Sequence, residues 1–406
     1  MTEYWIWLTM HQNVSGGSIR RLLRRFGTPE AVFHADKDEL RHTEGLTPGE
    51  YQALTSHDTA QARQILELCY RKDIHILTYQ DSAYPSALRA IDDAPALLYY
   101  KGRLPDFDGR PAVAVVGARN ASAYGLSAAK RIGYQLGKCG AVVVSGMARG
   151  IDAMAMQGAL SAGNPVVGVL GCGVDVVYPQ ENRSLFDDVI HNGCLLSEYA
   201  PGTPPLGRNF PVRNRIISGL SNAVLVVEAA AKSGALITAG LALDQGRDVF
   251  AVPGNIGNAA CAGSNGLLKQ GAMLAESGWD IVSQYEHLYP QTVTPFDGGV
   301  LPVQEADLLE AGKKVASYVA LPTKQDKIEV DKGSEDHYID LTERKNQVSE
   351  DEWSVLQTLQ NGQKQADEMI AESGLPAARV LAAITLLEVK GYLNRLPGKR
   401  FSLKSN

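Results

Sequence analysis

The run Val113-Ala114-Val115-Val116-Gly117-Ala118-Arg119-Asn120-Ala121-Ser122 decides how this chain reads. Four apolar residues stop at a glycine, small and polar residues follow, and a helical pattern resumes at Tyr124-Gly125: a strand, a turn and a helix. The same order returns at Val142-Val143-Val144, where Ser145-Gly146-Met147-Ala148-Arg149-Gly150 makes the turn and Ile151-Asp152 opens the next helix. Each turn puts Gly and Arg where a strand ends and a helix begins. Free backbone N–H groups and the positive end of a helix dipole should converge there, and glycine permits close approach, so the expected ligand is rich in phosphate.

Outward from this stretch, apolar runs at 113–117, 141–145, 166–170, 194–198, 223–228 and 248–252 alternate with helical text. Connections of that length predict an α/β fold: a doubly wound, mostly parallel, extended Rossmann-like sheet. Ligands of such sheets lie beyond the carboxyl ends of the strands. The polar residues that follow the strands are therefore the candidates: Gly117, Arg119 and Ser122, then Ser145, Gly146 and Arg149, then Gly171-Cys172-Gly173. Beyond Glu198 stands Arg208-Asn209-Phe210-Pro211-Val212-Arg213-Asn214-Arg215, beyond Glu228 stand Lys232 and Ser233, and Pro253-Gly254-Asn255 closes the last strand. Phe210 among Arg208, Arg213, Asn214 and Arg215 is the mix that single-stranded nucleic acid needs, a ring for a base beside cations for phosphates. A core phenylalanine opening a helix is the competing reading, and Arg119 and Arg149 as structural ion-pair formers is another.

Several function classes lose ground on the same residues. No Gly-x-Gly-x-x-Gly follows the first strand and Ser145 stands where an NAD site wants an acid; no Gly-x-x-x-x-Gly-Lys-Ser/Thr occurs. The eight His are dispersed and Ser145 is not in a nucleophile elbow. Glu198 and Glu228 are either a general base pair or braces for nearby arginines and loop N–H groups. No cofactor and no metal site is expected. Cys69, Cys139, Cys172, Cys194 and Cys261 are scattered and odd in number, as buried free thiols would be.

The net charge of −6 divides as about −3 for residues 1–100, +3 for 101–278 and −6 for 279–406. The mildly basic part carries the Gly/Arg turns, so a polyanionic partner stays compatible with an acidic whole. The N-terminus lacks signal-peptide layout and no run approaches the roughly 18 apolar residues of a membrane span, so no membrane association and a cytoplasmic location are expected.

Four segments follow. Residues 1–75 read as a helical domain, with Ile19, Leu22, Leu23 and Phe26 at helical spacing, Arg20, Arg21, Arg24 and Arg25 between them, and breaks at Gly27-Thr28-Pro29 and Gly45-Leu46-Thr47-Pro48. Its hairpins resemble a helix-hairpin-helix or sterile-alpha-motif-like module that grips DNA backbone; a plain helical cap is equally open. Residues 76–288 hold the sheet, with a short strand at 74–78 leading in. Residues 289–348 read as a linker, and 349–406 as three helices and a hairpin, a winged helix.

The motifs Val115-Val116-Gly117-Ala118-Arg119, Ser145-Gly146-Met147-Ala148-Arg149-Gly150-Ile151-Asp152, Asn209 to Ser221, Val227-Glu228-Ala229, Ser233 to Thr238 and Val252-Pro253-Gly254-Asn255 stand in one order. In that order they resemble the DNA-processing protein A (DprA/Smf) family. The resemblance implies a non-enzymatic protein that binds and protects single-stranded DNA and loads RecA recombinase during natural transformation. It further implies a homodimer through the Rossmann-like domain and a basic pocket lined by Arg119, Ser145, Gly146, Arg149, Phe210, Arg213 and Arg215. Where some relatives have a Lys before Phe210, this chain has Gly207-Arg208-Asn209. The rival is a nucleotide phosphoribohydrolase-like enzyme on a related sheet; against it, Ala230-Ala231-Lys232-Ser233-Gly234 follows Glu228 where such enzymes carry Pro-Gly-Gly-x-Gly-Thr.

Overall fold

Alternation along the valine-rich strands builds two cores at once. In strand β3 (Ala112–Val116), Val113 and Val115 join one buried cluster while Ala112, Ala114 and Val116 join the cluster on the opposite face. Strand β4 (Val142–Ser145) repeats this, with Val143 on the first side and Val142 and Val144 on the second. A strand buried on both faces needs helices on both, and each fully buried valine contributes about 1.5–3 kcal/mol. The helices Ala123–Lys138 and Ile151–Ser161 cover one face, and Asn209–Gly219 and Gly234–Asp244 cover the other.

In the computed structural model, residues 1–11, 14–296, 348–359, 362–390, 392–396 and 400–403 are described. The chain divides into two compact units, Met1–Leu321 and Pro322–Asn406. The first holds a nine-stranded sheet in the order β1-β2-β6-β5-β4-β3-β7-β8-β9. Here β1 is His75–Thr78, β2 Leu97–Gly102, β5 Val166–Val169, β6 Gly193–Ser197, β7 Ala223–Val226, β8 Asp248–Ala251 and β9 Met273–Leu274. Strands β3 to β9 run parallel, while β2 pairs antiparallel with β6 and β1 antiparallel with β2. The chain winds outward from β3 through β4, β5 and β6, then returns to lay β7 against the other edge of β3. That reversal opens a crevice beyond the carboxyl ends of β3 and β7.

All six parallel strands expected from sequence are present, as is β1. Strand β2 is antiparallel although its apolar run, Leu97-Leu98-Tyr99-Tyr100, resembles those of the parallel strands; β9, only two residues long with both side chains exposed, carries no such signal. Nor does the first helix, Thr2–Met10: Trp5, Ile6, Trp7 and Leu8 are buried in succession, which erases any amphipathic period.

The N-terminal helices share a core with Ile74, Leu97, Tyr99 and Val174, which seats them against the sheet. Their breaks fall where the sequence puts them: Gly27 closes one helix by donating its N–H to Leu23 O, Thr28 caps the next, and Thr47 with Glu50 forms a capping box ahead of Pro48–Leu54. The linker expected from residue 289 starts later than that. Tyr289 receives the Asn222 amide at 3.1 Å, Thr292 bonds Gly109 O, Val293 is buried and Phe296 packs on the sheet core. Apolar side chains spaced three and four apart dock there, a pattern too short to register in the sequence. Residues 297–347 of that expected linker lie outside the described residues, while Val348 packs on the core of the second unit.

In the second unit, Ser349 and Glu352 form the capping box of Glu350–Thr358, followed by Ala366–Ser373, Ala377–Val389 and the antiparallel strands Leu393–Leu396 and Arg400–Leu403. Val355, Leu356, Val380, Ile384 and Leu387 form its core. This is a winged helix. Among the described residues no helix is long and apolar enough to cross a membrane.

Candidate functional site

The crevice at the sheet reversal holds a cleft of about 720 Å³. Gly117 and Arg119 enter it from the β3 turn, Phe210, Arg213 and Asn214 from the helix Asn209–Gly219, and Lys232 and Ser233 from the turn that opens Gly234–Asp244. A narrower recess of about 80 Å³ adjoins it, bounded by Gly146, Arg149, Tyr178 and again Arg119, Phe210 and Arg213. Nine of the thirteen site residues expected from sequence therefore meet around one opening.

Phe210 is its centre. The ring is half-buried, with the guanidinium carbons of Arg119 and Arg213 each 5.8 Å from its centroid and the Tyr178 ring at 5.5 Å, tilted by 34°. Two cations and two rings around one opening attract an electron-rich planar group with negative charge beside it. Arg213 is buried, and its guanidinium donates to Gly146 O at 3.0 Å and to Val169 O. Burial pulls that guanidinium down to about 10, against the pull of Asp152, so it stays charged at neutral pH. Arg119 is exposed.

The N–H groups expected to be free at the first two turns are not. Asp152 accepts from Gly146 N at 3.0 Å and Ala148 N at 3.4 Å. Burial pushes its carboxyl up, while Arg213 and these donors pull it down. At the other turn Glu228, buried, accepts from Ser122 N at 2.9 Å and from the Ser122 hydroxyl, and Ser122 in turn accepts from Gly125 N. Each helix start already carries a carboxylate of the protein's own, which meets the orphan donors and the dipole from inside. The glycines serve the fold in the same way. A Cβ at Gly146 would lie 2.7 Å from Arg213 Nη2, and Gly150, at φ 72°, leaves no room for one against Ala118 O at 2.3 Å.

Four expected residues lie apart from the cleft. Ser145 is fully buried and its hydroxyl donates to Val115 O at 2.7 Å; Ser122 is taken by Glu228; Arg208 is exposed beyond the rim. Arg215 faces the other way, its Nε 2.8 Å from Asp93 and its Nη2 2.8 Å from Glu198. Burial works against its charge, but these two carboxylates outweigh it and hold the guanidinium above its usual range. Arg149 borders the recess yet is paired with Glu181 at 2.7 Å. Glu198 and Glu228 thus act as braces, and neither is among the residues that line the cleft.

Sequence reasoning missed Tyr178, whose ring lies tilted beside Phe210, and Asn182, whose amide donates to Met147 O and Ala148 O and steadies a turn in which Met147 sits at φ 56°. An aromatic after the β5 turn was the available signal for the first; the second left none. All five cysteines are buried, and burial pushes Cys69, Cys139 and Cys172 up to about 11, so they are unreactive. Among the described residues no cluster of His, Cys, Asp or Glu has the geometry to hold a metal ion.

Comparison with known proteins bears on the same elements. Residues 75–286 match the family described as DNA recombination-mediator protein A, and residues 341–399 match the DprA winged helix domain. Protein Smf of Synechocystis is 32% identical over 405 residues, covering 98% of each chain. The DNA processing protein DprA of Streptococcus pneumoniae is 45% identical over 206 residues, 51% of this chain and 72% of that one. The X-ray structure of the S. pneumoniae protein superposes with a TM-score of 0.62 at 36% identity, covering 70% of this chain and 98% of its own. With its sheet domain and its winged helix both matched, the chain belongs to the DNA recombination-mediator protein A family, the proteins named DprA and Smf.

Proposed function

We propose that the cleft binds single-stranded DNA, bases stacking at Phe210 and phosphates running past Arg119, Arg213 and Lys232. The observation that carries this is the Phe210 ring set between two guanidinium groups at the mouth of the sheet reversal. An unpaired base offers its face to such a ring, whereas a stacked duplex does not. Family membership supports the wider role: protection of incoming single strands and loading of RecA recombinase in natural transformation, a task of the cytoplasm, without catalysis. A homodimer through the Rossmann-like domain fits the apolar side chains left exposed on the edge strand β9, Met273 and Leu274.

Fluorescence anisotropy with a short oligothymidylate and a duplex of equal length tests the reading. It requires preference for the single strand and loss of that preference in Phe210→Ala; equal affinity for both would remove it. Incubation with nucleoside monophosphates separates the enzymatic alternative, which demands release of free base. Recombinase loading is checked by RecA strand exchange on coated single strands, with and without the protein.

A further inference from the structure

Outside the cleft, the helix Gly16–Phe26 carries an arginine cluster that the fold leaves without counter-charge. Arg21, Arg24 and Arg25 are exposed, and among the described residues none lies within ion-pairing distance of a carboxylate. In the same unit Arg63, Arg71, Arg149 and Arg215 have one, while others, Arg119 and Arg208 of the cleft region among them, do not. Two of the three side chains are also tied down. Arg21 donates to Gly45 O and Ser18 Oγ, both at 2.9 Å, and Arg25 donates to Thr43 Oγ1 at 3.2 Å and lies over the Phe26 ring. Positions 21, 24 and 25 share one helix face, spread over about one turn, 5.4 Å, along the axis.

A buried acid braces this face. Glu50 accepts from Ser18 Oγ at 2.6 Å, from Ser15 N at 3.0 Å and from Thr47 N at 2.8 Å, which ties the helix start to the 43–47 turn, and it stands one hydrogen bond from Arg21 through Ser18. The helix is also fastened, through the 91–93 turn, to the side of the Asn209–Gly219 helix that faces away from the cleft. Arg20 donates to Ile91 O at 2.9 Å, and two residues on, Asp93 holds Arg215 of the cleft-wall helix. Fixed, unpaired guanidinium groups suit phosphates, which they meet in a planar fork.

We propose that Arg21, Arg24 and Arg25 form a second contact for single-stranded DNA, taking the backbone of a strand that continues out of the cleft; this rests on the cleft's proposed function. A short strand fills the cleft alone, and a long one engages both surfaces. The test is anisotropy on the full chain with oligothymidylates of about 10 and about 40 nucleotides, given that sites of this kind span roughly 4–16 nucleotides. Variants are Arg24→Glu, the triple change of Arg21, Arg24 and Arg25 to Ala, the same triple to Lys, and Phe210→Ala. The triple Ala change should weaken the long strand about tenfold and lower its salt slope by about 2, at about 0.7 per phosphate contact, leaving the short strand within about twofold. The Lys triple should keep most of the long-strand affinity. Arg24→Glu, whose side chain holds nothing else in place, should give a partial loss for the long strand alone, which covers a triple that fails to fold. Unchanged long-strand affinity in Arg24→Glu, equal losses at both lengths, or a loss confined to duplex competitors would overturn the proposal. If Phe210→Ala spares the short strand, it is the cleft reading that fails, and the arginine result then stands separately.

Discussion

Two faces of one helix, Asn209–Gly219, put the same residue type to opposite uses. Arg213 turns toward the cleft, its guanidinium 5.8 Å from the Phe210 ring, and donates to Gly146 O, Val169 O and Asn214 Oδ1, with Asp152 acting on its charge. Arg215, two positions on and so about 200° around the axis, turns away and is held by Asp93 and Glu198. The difference teaches that a run of arginines in a binding motif is not one surface. Part of the motif faces the cleft, and part anchors the element that presents the rest.

If that division is right, the two faces fail differently. Arg215→Ala leaves Glu198 and Asp93 facing an uncompensated gap and should lower stability by about 2–3 kcal/mol, read from denaturant unfolding, while the folded fraction keeps its affinity for a short single strand. A normal midpoint with lost affinity would place Arg215 in the cleft after all. Phe210→Ala should do the converse. The ring is half-buried, so folding should hold, while affinity for a short single strand falls tenfold or more, about 1–3 kcal/mol for one stacked base.

Smaller effects sharpen the comparison. Arg119→Ala should flatten the dependence of log affinity on log salt by about 0.7, one phosphate contact, and Arg149→Ala by less, because Arg149 already has Glu181. Equal slopes for Arg119→Ala and wild type would remove Arg119 from the phosphate track. The smallest effect lies in the N-terminal helices. Burial opposes the charge on Glu50, but hydrogen bonds from Ser18, Ser15 and Thr47 prevail and hold its carboxyl at about 2. A carboxyl lowered on folding contributes in full above its unfolded value near 4.3, and loses that contribution as pH falls toward 2. Thermal unfolding of Glu50→Gln should therefore show a flatter acid limb between about pH 4.5 and 2 than wild type; parallel limbs would remove Glu50 as the brace.

Much of this can be read directly from sequence, for physical reasons. The six parallel strands stand out because strands buried on both faces must be continuous runs of Val, Ala and Leu, and the winged helix because its caps and apolar spacing are regular. The cleft's place follows from the sheet's reversal and the polar residues after each strand. The direction in which a side chain leaves its backbone is not readable in the same way. Composition could not say that Asp152 and Glu228 occupy the helix starts from within, since a buried carboxylate serving a turn and one serving a ligand look alike in sequence. Nor could it separate Arg213 from Arg215 without the phase of a helix whose start is Arg208 rather than the middle of the loop. Tyr178 joins Phe210 only through tertiary contact.

The account rests on the ring between two guanidinium groups as the place where a strand lies. Photo-crosslinking a short bromodeoxyuridine-substituted strand to the full chain, with the linked peptides mapped, tests it most directly. Adducts are expected on the peptide that carries Phe210, suppressed in Phe210→Ala. Adducts confined to the helix Gly16–Phe26 or to the winged helix, with none between Arg208 and Arg215, would contradict it.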